Sequence, residues 1–203
     1  MWSNSPVMNK SRKLTGICLL VLAVSLSACS GLTQSDKPAT KTWWLEPYTD
    51  MTPAESSDPA VLLNVSVTVV PGLDTDQVLT LSDKAELNAY SAARWAEHLP
   101  ELLSSLSERS LASSGRFAVV SARAQCELQL ELQEFFADLS PSGETTGVRV
   151  AIKGRYQCKG GEAELLHLDA LIPVRDERMS VIVSAFQQAV DRVMKDLLGS
   201  LGD

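Results

Sequence analysis

Two stretches of the chain decide its fold: residues 126–136, CELQLELQEFF, and residues 147–158, GVRVAIKGRYQC. Both alternate between apolar and polar side chains with a period of two, as half-buried β-strands do. The segment between them contains Ser140-Pro141-Ser142-Gly143-Glu144, whose residue types are typical of a turn. The pattern therefore predicts a long antiparallel hairpin.

One register of this hairpin, centred on Ser142, suits both faces of the two strands. It places Cys126 opposite Cys158, and on the same face it pairs Leu128 with Tyr156, Leu130 with Gly154, Leu132 with Ile152 and Phe136 with Val148. The other face pairs Glu131 with Lys153, Gln129 with Arg155 and Glu127 with Gln157. Glu134 opposite Val150 is the one mismatch on the apolar face. A slip of one residue would exchange the faces, so the register is strongly specified.

The cysteines at the ends of the hairpin predict a disulfide. The chain has four cysteines, and two of them, Cys18 and Cys29, lie in the N-terminal segment discussed below. Cys126 and Cys158 remain as a pair, and in an oxidising compartment we expect them to be bonded. Two reduced, buried thiols are the alternative. A zinc site has little support, because neither cysteine belongs to a CxxC pair.

The flanking segments predict further strands and two helices. Strands are expected near residues 61–70, 77–81, 86–90, 117–121 and 165–172. The two apolar helix stripes are Leu99, Leu102, Leu103 and Leu106, followed by a stop at Gly115, and Phe186, Val190, Val193, Leu197 and Leu201. We expect Trp95 to be a core residue, whereas the C-terminal stripe could pack in the core or contact a partner helix or another copy.

This order of elements predicts the fold class. It is a mixed α/β (α+β) single domain, with one largely antiparallel sheet of about seven strands and two main helices packed on it.

The N-terminal segment has the zones of an export signal. Residues 9–13 are basic, and Leu14 to Leu26 is a mostly apolar run of thirteen residues. That length suits the apolar region of a signal peptide, whereas a membrane-spanning helix needs roughly 20 residues.

Leu26-Ser27-Ala28-Cys29 resembles the lipobox of bacterial lipoproteins. The resemblance implies that residues 1–28 are a lipoprotein signal peptide and that Cys29 is lipidated. Residues 29–41 would be the lipidated N-terminus and a flexible tether, and residues 42–203 the periplasmic domain. Ser30, where enterobacterial retention signals have Asp, favours the outer membrane, with the domain facing the periplasm. The alternative is a secreted protein in which Cys29 is incidental.

Charge and motifs narrow the range of functions. The formal net charge of -7 becomes -10 without Lys10, Arg12 and Lys13 of the leader, so nucleic acid is not an expected partner. The chain contains no GxSxG, glycine-rich phosphate loop or HExxH motif. We interpret the two histidines, His98 and His167, as surface or helix-start residues, and Asp74 and Asp76 as turn residues. We expect no catalytic residue, cofactor or metal site.

Three segments resemble the ABC-type transport auxiliary lipoproteins. The first segment is Thr42-Trp43-Trp44-Leu45. The second runs from Val65 to Asp74, includes Pro71 and Leu73, and is followed by Gln77-Val78-Leu79-Thr80. The third runs from Tyr90 to Leu99 and includes Arg94 and Trp95. Trp43 and Trp44 stand where the family usually has tyrosines. The resemblance implies that these motif residues are structural.

The same resemblance implies a role and partners. The protein would be an accessory or docking component of an ABC transporter with an MCE protein in the periplasm, and the permease and ATPase would be other chains. Such systems move phospholipids or other lipids between the inner and outer membranes, and a ring of identical copies would suit the task. The rival hypotheses are a structural outer-membrane lipoprotein that assists another envelope complex and, third, a periplasmic hydrolase with an unrecognised site.

Overall fold

The computed structural model describes residues 39–49 and 60–201, which form an open sheet with two helices. The strands in these ranges are β1 (Lys41–Trp43), β2 (Val61–Val69), β3 (Gln77–Leu81), β4 (Leu87–Trp95), β5 (Phe117–Val119), β6 (Cys126–Leu139), β7 (Thr145–Cys158) and β8 (Glu164–Pro173). The helices are α1 (Leu99–Ser113) and α2 (Met179–Ser200), and a short 3-10 turn covers Pro71–Leu73. The predicted fold class is confirmed, and β1 is a strand that the sequence patterns did not predict.

Strand β6 is the centre of the sheet because both of its edges are used. Along one edge it pairs antiparallel with β7, which in turn pairs antiparallel with β8. Along the other edge it pairs in parallel first with β2 and then with β3. The outer strands complete the sheet: β5 lies beside β2, and β4 and then β1 lie beyond β3. Most of the paired residues in the sheet are antiparallel, and the parallel strand pairs are β2–β6, β3–β6, β2–β5 and β1–β4.

The predicted hairpin register is confirmed from Cys126–Cys158 to Leu132–Ile152. Beyond that point a β-bulge at Gln133 shifts the pairing by one residue. Glu134 therefore faces Ala151, Phe135 faces Val150 and Phe136 faces Arg149, so the predicted pairs Glu134–Val150 and Phe136–Val148 were wrong. An extra residue in one strand exchanges the faces of everything after it. Here it removes Glu134 from the apolar face and puts Phe135 there instead.

The bulge places Phe135 in the aromatic centre of the core. Its ring lies 5.7 Å from the ring of Trp95 in β4 and 4.9 Å from that of Phe186 in α2, and Trp95 and Phe186 are 5.1 Å apart. The predicted core position of Trp95 is confirmed, since only 2% of it is exposed. Each buried aromatic ring of this kind contributes more than its apolar area alone. The cluster joins two strands and a helix that are far apart in the sequence, β4, β6 and α2.

Both helices pack on one face of the sheet. Helix α1 lies against β2 and β5, and α2 lies against β7 and β8. The two predicted apolar stripes are buried, so the C-terminal stripe belongs to the core. Gly115 follows α1 with a φ of +71°, a left-handed conformation that ends a helix and favours glycine. In the described ranges, no helix has both the length and the apolar character needed to span a membrane.

Among residues 39–49 and 60–201, no helix lies on the opposite face of the sheet, and we call it the open face. Its side chains come from alternate positions of the long strands: Glu127, Gln129 and Glu131 of β6, Arg149, Ala151, Lys153 and Arg155 of β7, and Leu165, His167, Asp169 and Leu171 of β8. The predicted polar pairs Glu131–Lys153, Gln129–Arg155 and Glu127–Gln157 lie here and confirm the register.

Gly154 provides a test of how tightly the core face of the hairpin is packed. A Cβ atom there would lie 3.1 Å from Leu166 Cβ and 3.2 Å from Leu130 Cδ2. We expect Gly154→Val to lower the free energy of unfolding by about 1–3 kcal/mol, because both neighbours must move to admit the side chain. Urea denaturation of the purified protein measures the change. Lys153→Val, one residue away on the exposed face, is the control and should leave stability nearly unchanged.

Candidate docking surface

The fold brings the three family-motif segments together at one end of the sheet. Strand β1 runs parallel to the end of β4, with Thr42 beside Arg94 and Trp43 beside Trp95. The backbone N–H of Ala96 extends this pairing by donating to the carbonyl of Trp43 at 2.9 Å. The first and third motif segments are therefore neighbours in the sheet, although about fifty residues separate them in the chain.

The second motif segment connects β2 to β3 along the same edge of β6. The N–H of Val70 donates to the carbonyl of Leu132 at 3.1 Å, immediately before the bulge. Pro71 then starts the 3-10 turn, for which its fixed φ and missing N–H are suited, and Leu73 is buried in the core. The proline loop thus carries the chain past the bulged part of β6 and returns it to pair with Ala137.

This loop also fixes the start of helix α1. The carbonyl of Asp76 accepts a hydrogen bond from the N–H of Trp95 at 2.7 Å, and the carbonyl of Thr75 accepts one from the N–H of Leu99 at 3.1 Å. Pro100 occupies the first turn of the helix, where an absent N–H costs nothing. The strand end, the loop and the helix start therefore form one hydrogen-bonded unit.

Two acidic side chains of the loop pair with basic ones from the third segment. Both carboxylate oxygens of Asp76 accept from Nη1 of Arg94, at 3.1 and 2.9 Å. Asp74 Oδ1 lies 3.3 Å from Nδ1 of His98, the residue before α1. The Arg94 side chain is half exposed, and such pairs contribute little stability. The interpretation of Asp74, Asp76 and His98 as turn and helix-start residues is consistent with this geometry.

The aromatic pair at the start of the domain divides between the core and the solvent. Leu45 is fully buried, and Trp43 is partly buried and packs against the core. Trp44, between them, leaves 50% of its surface exposed. Trp44 is thus an exposed tryptophan between two residues that pack in or against the core, and tryptophan is among the residue types that dominate protein interfaces. We call Trp44, Asp74, Asp76, Arg94 and His98 the motif surface.

One cluster of polar residues was not predicted from the sequence. The Glu177 carboxylate accepts from the backbone N–H of Thr145 at 2.6 Å and from its hydroxyl at 3.1 Å, and Tyr90 Oη lies 2.6 Å from the same hydroxyl. Burial raises the pKa of the Tyr90 phenol above its ordinary value, so this group is a neutral hydrogen-bonding partner near pH 7. The cluster ties β4 and β7 to the segment before α2. No local pattern could reveal it, since its members are distant in sequence.

The open face holds a shallow concavity of ≈ 540 Å³ between β6, β7 and β8. Arg149 and Lys153 line it, and Arg149 already contacts Asp138 at 3.0 Å and Glu134 at 3.6 Å. His167 lines it from β8. In residues 39–49 and 60–201, no group of three or more His, Cys, Asp or Glu residues is arranged to hold a metal ion. The mixed charges give this concavity no strong preference for one kind of ligand.

The predicted modification sites fall in two different parts of the chain. The sulfurs of Cys126 and Cys158 lie 2.00 Å apart, which is the distance of a disulfide. Cys29 and the rest of the proposed leader lie outside the described residues.

Comparison with solved structures defines the class of fold. A protein of the DUF330 family from Xanthomonas campestris is similar over 78% of this chain and 93% of its own, with a TM-score of 0.67 and 19% identity. The crystal structure of an uncharacterized protein is similar over 80% of this chain and 99% of its own, with a TM-score of 0.64 and 14% identity. At these identities the likeness concerns the fold alone. A comparison with curated proteins gave no match.

The family follows from the sequence. The family model of the ABC-type transport auxiliary lipoprotein component matches residues 45–197. The chain belongs to this family, which is a family of transport accessories in the cell envelope and not a known family of enzymes.

The Cys126–Cys158 bond is directly testable. We expect intact mass spectrometry of the non-reduced protein to show a mass two hydrogens below that of the reduced chain. Reduction should also destabilise the domain, by up to about 3–4 kcal/mol for a loop of this length if chain entropy dominates. Reaction of the Cys126 and Cys158 thiols with maleimide in the unfolded, non-reduced protein would contradict the prediction.

Proposed function

We propose that this protein is a membrane-anchored periplasmic lipoprotein that serves an MCE-type ABC transporter as an accessory or docking component for lipid transport between the two membranes. The observation that carries the proposal is the family match over residues 45–197. The permease, the ATPase and the MCE protein would be separate chains, and the present chain would supply a docking surface.

The motif surface supports the docking role. It combines an exposed aromatic side chain, Trp44, with the Arg94–Asp76 ion pair and the His98–Asp74 contact, which is the mixture of apolar anchor and polar surroundings found at protein interfaces. Its residues come from the segments that resemble the family. The buried members of those segments, Leu45, Leu73 and Trp95, hold it in shape.

The proposed anchor fits the same task. Lipidation at Cys29 would attach the domain to the outer membrane, and about 0.8 kcal/mol for each methylene placed in lipid makes several acyl chains a lasting attachment. Residues 29–41 would then act as the tether between membrane and domain. An adaptor held at one membrane could receive the end of an assembly that starts from the other.

The first test is recovery of the partner. We expect crosslinking in cells followed by affinity purification of the full-length protein to recover an MCE protein. Trp44→Ala should reduce that recovery about tenfold or more, since truncation of a central interface tryptophan typically costs 2 kcal/mol or more of binding. Circular dichroism should show an intact fold, because Trp44 is half exposed.

Leu87→Ala is the matched control for this test. Leu87 is also an exposed apolar residue, at 42%, but lies at the opposite end of β4 from Arg94. It should leave recovery of the MCE protein unchanged. Recovery of only another envelope complex, with no MCE protein, would favour the role of a structural lipoprotein and overturn the transport proposal.

The second test concerns the anchor. We expect Cys29→Ala to move the protein from the membrane to the soluble periplasmic fraction and to abolish complementation of a deletion strain, because the docking surface is then no longer held at the membrane. Cell fractionation and growth on detergent measure the two effects. Cys18→Ala, within the leader, is the control and should change neither. Full complementation by the soluble Cys29→Ala protein would contradict the assigned role of the anchor.

A further inference from the structure

The chain crosses to the helix layer immediately after the exposed tryptophan. We call residues 45–48 the strap, because they follow β1 and contact first α2 and then α1. Leu45 is fully buried, Tyr48 is partly buried and packs against the core, and Glu46 between them is exposed. Burial thus holds the first and the last side chain of the strap, and its middle depends on hydrogen bonds.

Gln187 of α2 holds the backbone of the strap at Glu46. Its Oε1 accepts a hydrogen bond from the Glu46 N–H at 2.8 Å, and its Nε2 donates one to the Glu46 carbonyl at 2.9 Å. A side-chain amide has one carbonyl oxygen and one NH2 group, so a single glutamine can satisfy both backbone groups of one residue. The two residues lie 141 positions apart in the chain.

The Gln187 amide is itself held in one orientation. Its Nε2 also donates to Asp191 Oδ1 at 2.9 Å, one turn further along α2. Side chains four residues apart lie on the same face of a helix, and an ionised carboxylate only accepts hydrogen bonds. Asp191 therefore directs Nε2 toward itself and the Glu46 carbonyl, which leaves Oε1 for the Glu46 N–H.

Trp44 lies between two fixed points of the backbone. On one side the Trp43 carbonyl accepts from the N–H of Ala96 at 2.9 Å, and on the other side Gln187 holds Glu46. A hydroxyl at the end of α1, that of Ser113, donates to the Tyr48 carbonyl at 3.2 Å and holds the far end of the strap. The orientation of the exposed indole is thus set by contacts with both the sheet and the helix layer.

We propose that Gln187 is a positioning residue of the docking surface, which holds the strap so that Trp44 is presented to the partner in one orientation. The inference rests on the proposed function, and it adds a residue of α2 that lies outside the three motif segments. Gln187 acts through the strap and need not touch the partner. A side chain that is ordered before binding costs less conformational entropy when the complex forms.

Hydrogen exchange tests the strap directly. In the full-length protein in detergent, Gln187→Ala should raise the exchange rate of the Glu46 amide about tenfold or more, because the amide loses its acceptor. Mass spectrometry of peptides that contain Glu46 measures the rate. Alanine is favourable in a helix, so α2 should remain folded. An unchanged exchange rate at Glu46 would overturn the proposal.

Gln188→Ala is the matched control. Gln188 is the next residue of α2 and is exposed, and its amide lies 3.4 Å from Ser184 Oγ of the same helix. Its substitution should change neither the exchange of Glu46 nor the recovery of the partner. An equal effect of Gln188→Ala on both would show that any change in this part of α2 suffices, and it would overturn the specific role of Gln187.

A double-mutant cycle tests whether Gln187 acts through Trp44. We expect Gln187→Ala to reduce the recovery of the MCE protein about threefold or more, the size of effect that ordering one large side chain produces. Added to Trp44→Ala, it should cause no further loss, because the side chain that it positions is already absent. If the two losses multiply, Gln187 acts by another route and the proposal is overturned.

The two measurements separate this inference from the proposed function. Failure of the wild-type protein to recover any MCE protein would overturn the proposed function, and with it the docking role of Gln187. Faster exchange at Glu46 together with unchanged recovery of an MCE protein would leave the proposed function intact and would overturn the positioning role alone.

Discussion

The bulge at Gln133 is the constraint on which the rest of the domain depends. Without it, strict alternation would direct Glu134 into the core and Phe135 onto the open face. With it, Phe135 packs between Trp95 and Phe186 and connects β4, β6 and α2 through one set of aromatic contacts. A single extra residue thus exchanges a buried carboxylate, which would be costly, for a buried ring, which is favourable.

The same bulge explains the division of the edge of β6 between two partners. Strand β2 pairs with β6 before the bulge and β3 pairs with it afterwards, and the proline loop between them leaves the sheet at the interruption. In leaving, the loop supplies the carbonyls and carboxylates that hold the end of β4 and the start of α1. The residues that resemble the family therefore lie in the three segments that are arranged around the bulge of the central strand β6.

Local sequence patterns predicted the parts of this structure that local forces determine. The alternation in CELQLEL fixed its partner strand and register because both faces agreed, and the leucine and valine stripes located both helices. The discord at Glu134 was visible in the sequence, but its resolution by a bulge depends on Trp95 and Phe186, which are remote in the chain. The parallel pairing of β2 with β6 and the division of the tryptophan pair between core and solvent likewise depend on tertiary contacts. The exposure of Leu165 and Leu171 was not predicted, because leucines occur on both faces of β8 and its pattern does not distinguish the buried ones from the exposed ones.

The parallel pairing of β2 with β6 has a consequence for the order in which the domain forms. Leu63 meets Cys126 across sixty-three positions of the chain, whereas β6 and β7 are joined by a five-residue connection from Ser140 to Glu144. Loop-closure entropy and contact order favour the hairpin as the early nucleus. When the chain emerges with its N-terminus first, β2 and β3 appear before β6, the strand with which both of them pair. The strands that are synthesised first are therefore among the last to pair. Until β6 is available, the apolar strand β2, VLLNVSVTV, is the segment that most needs protection from aggregation.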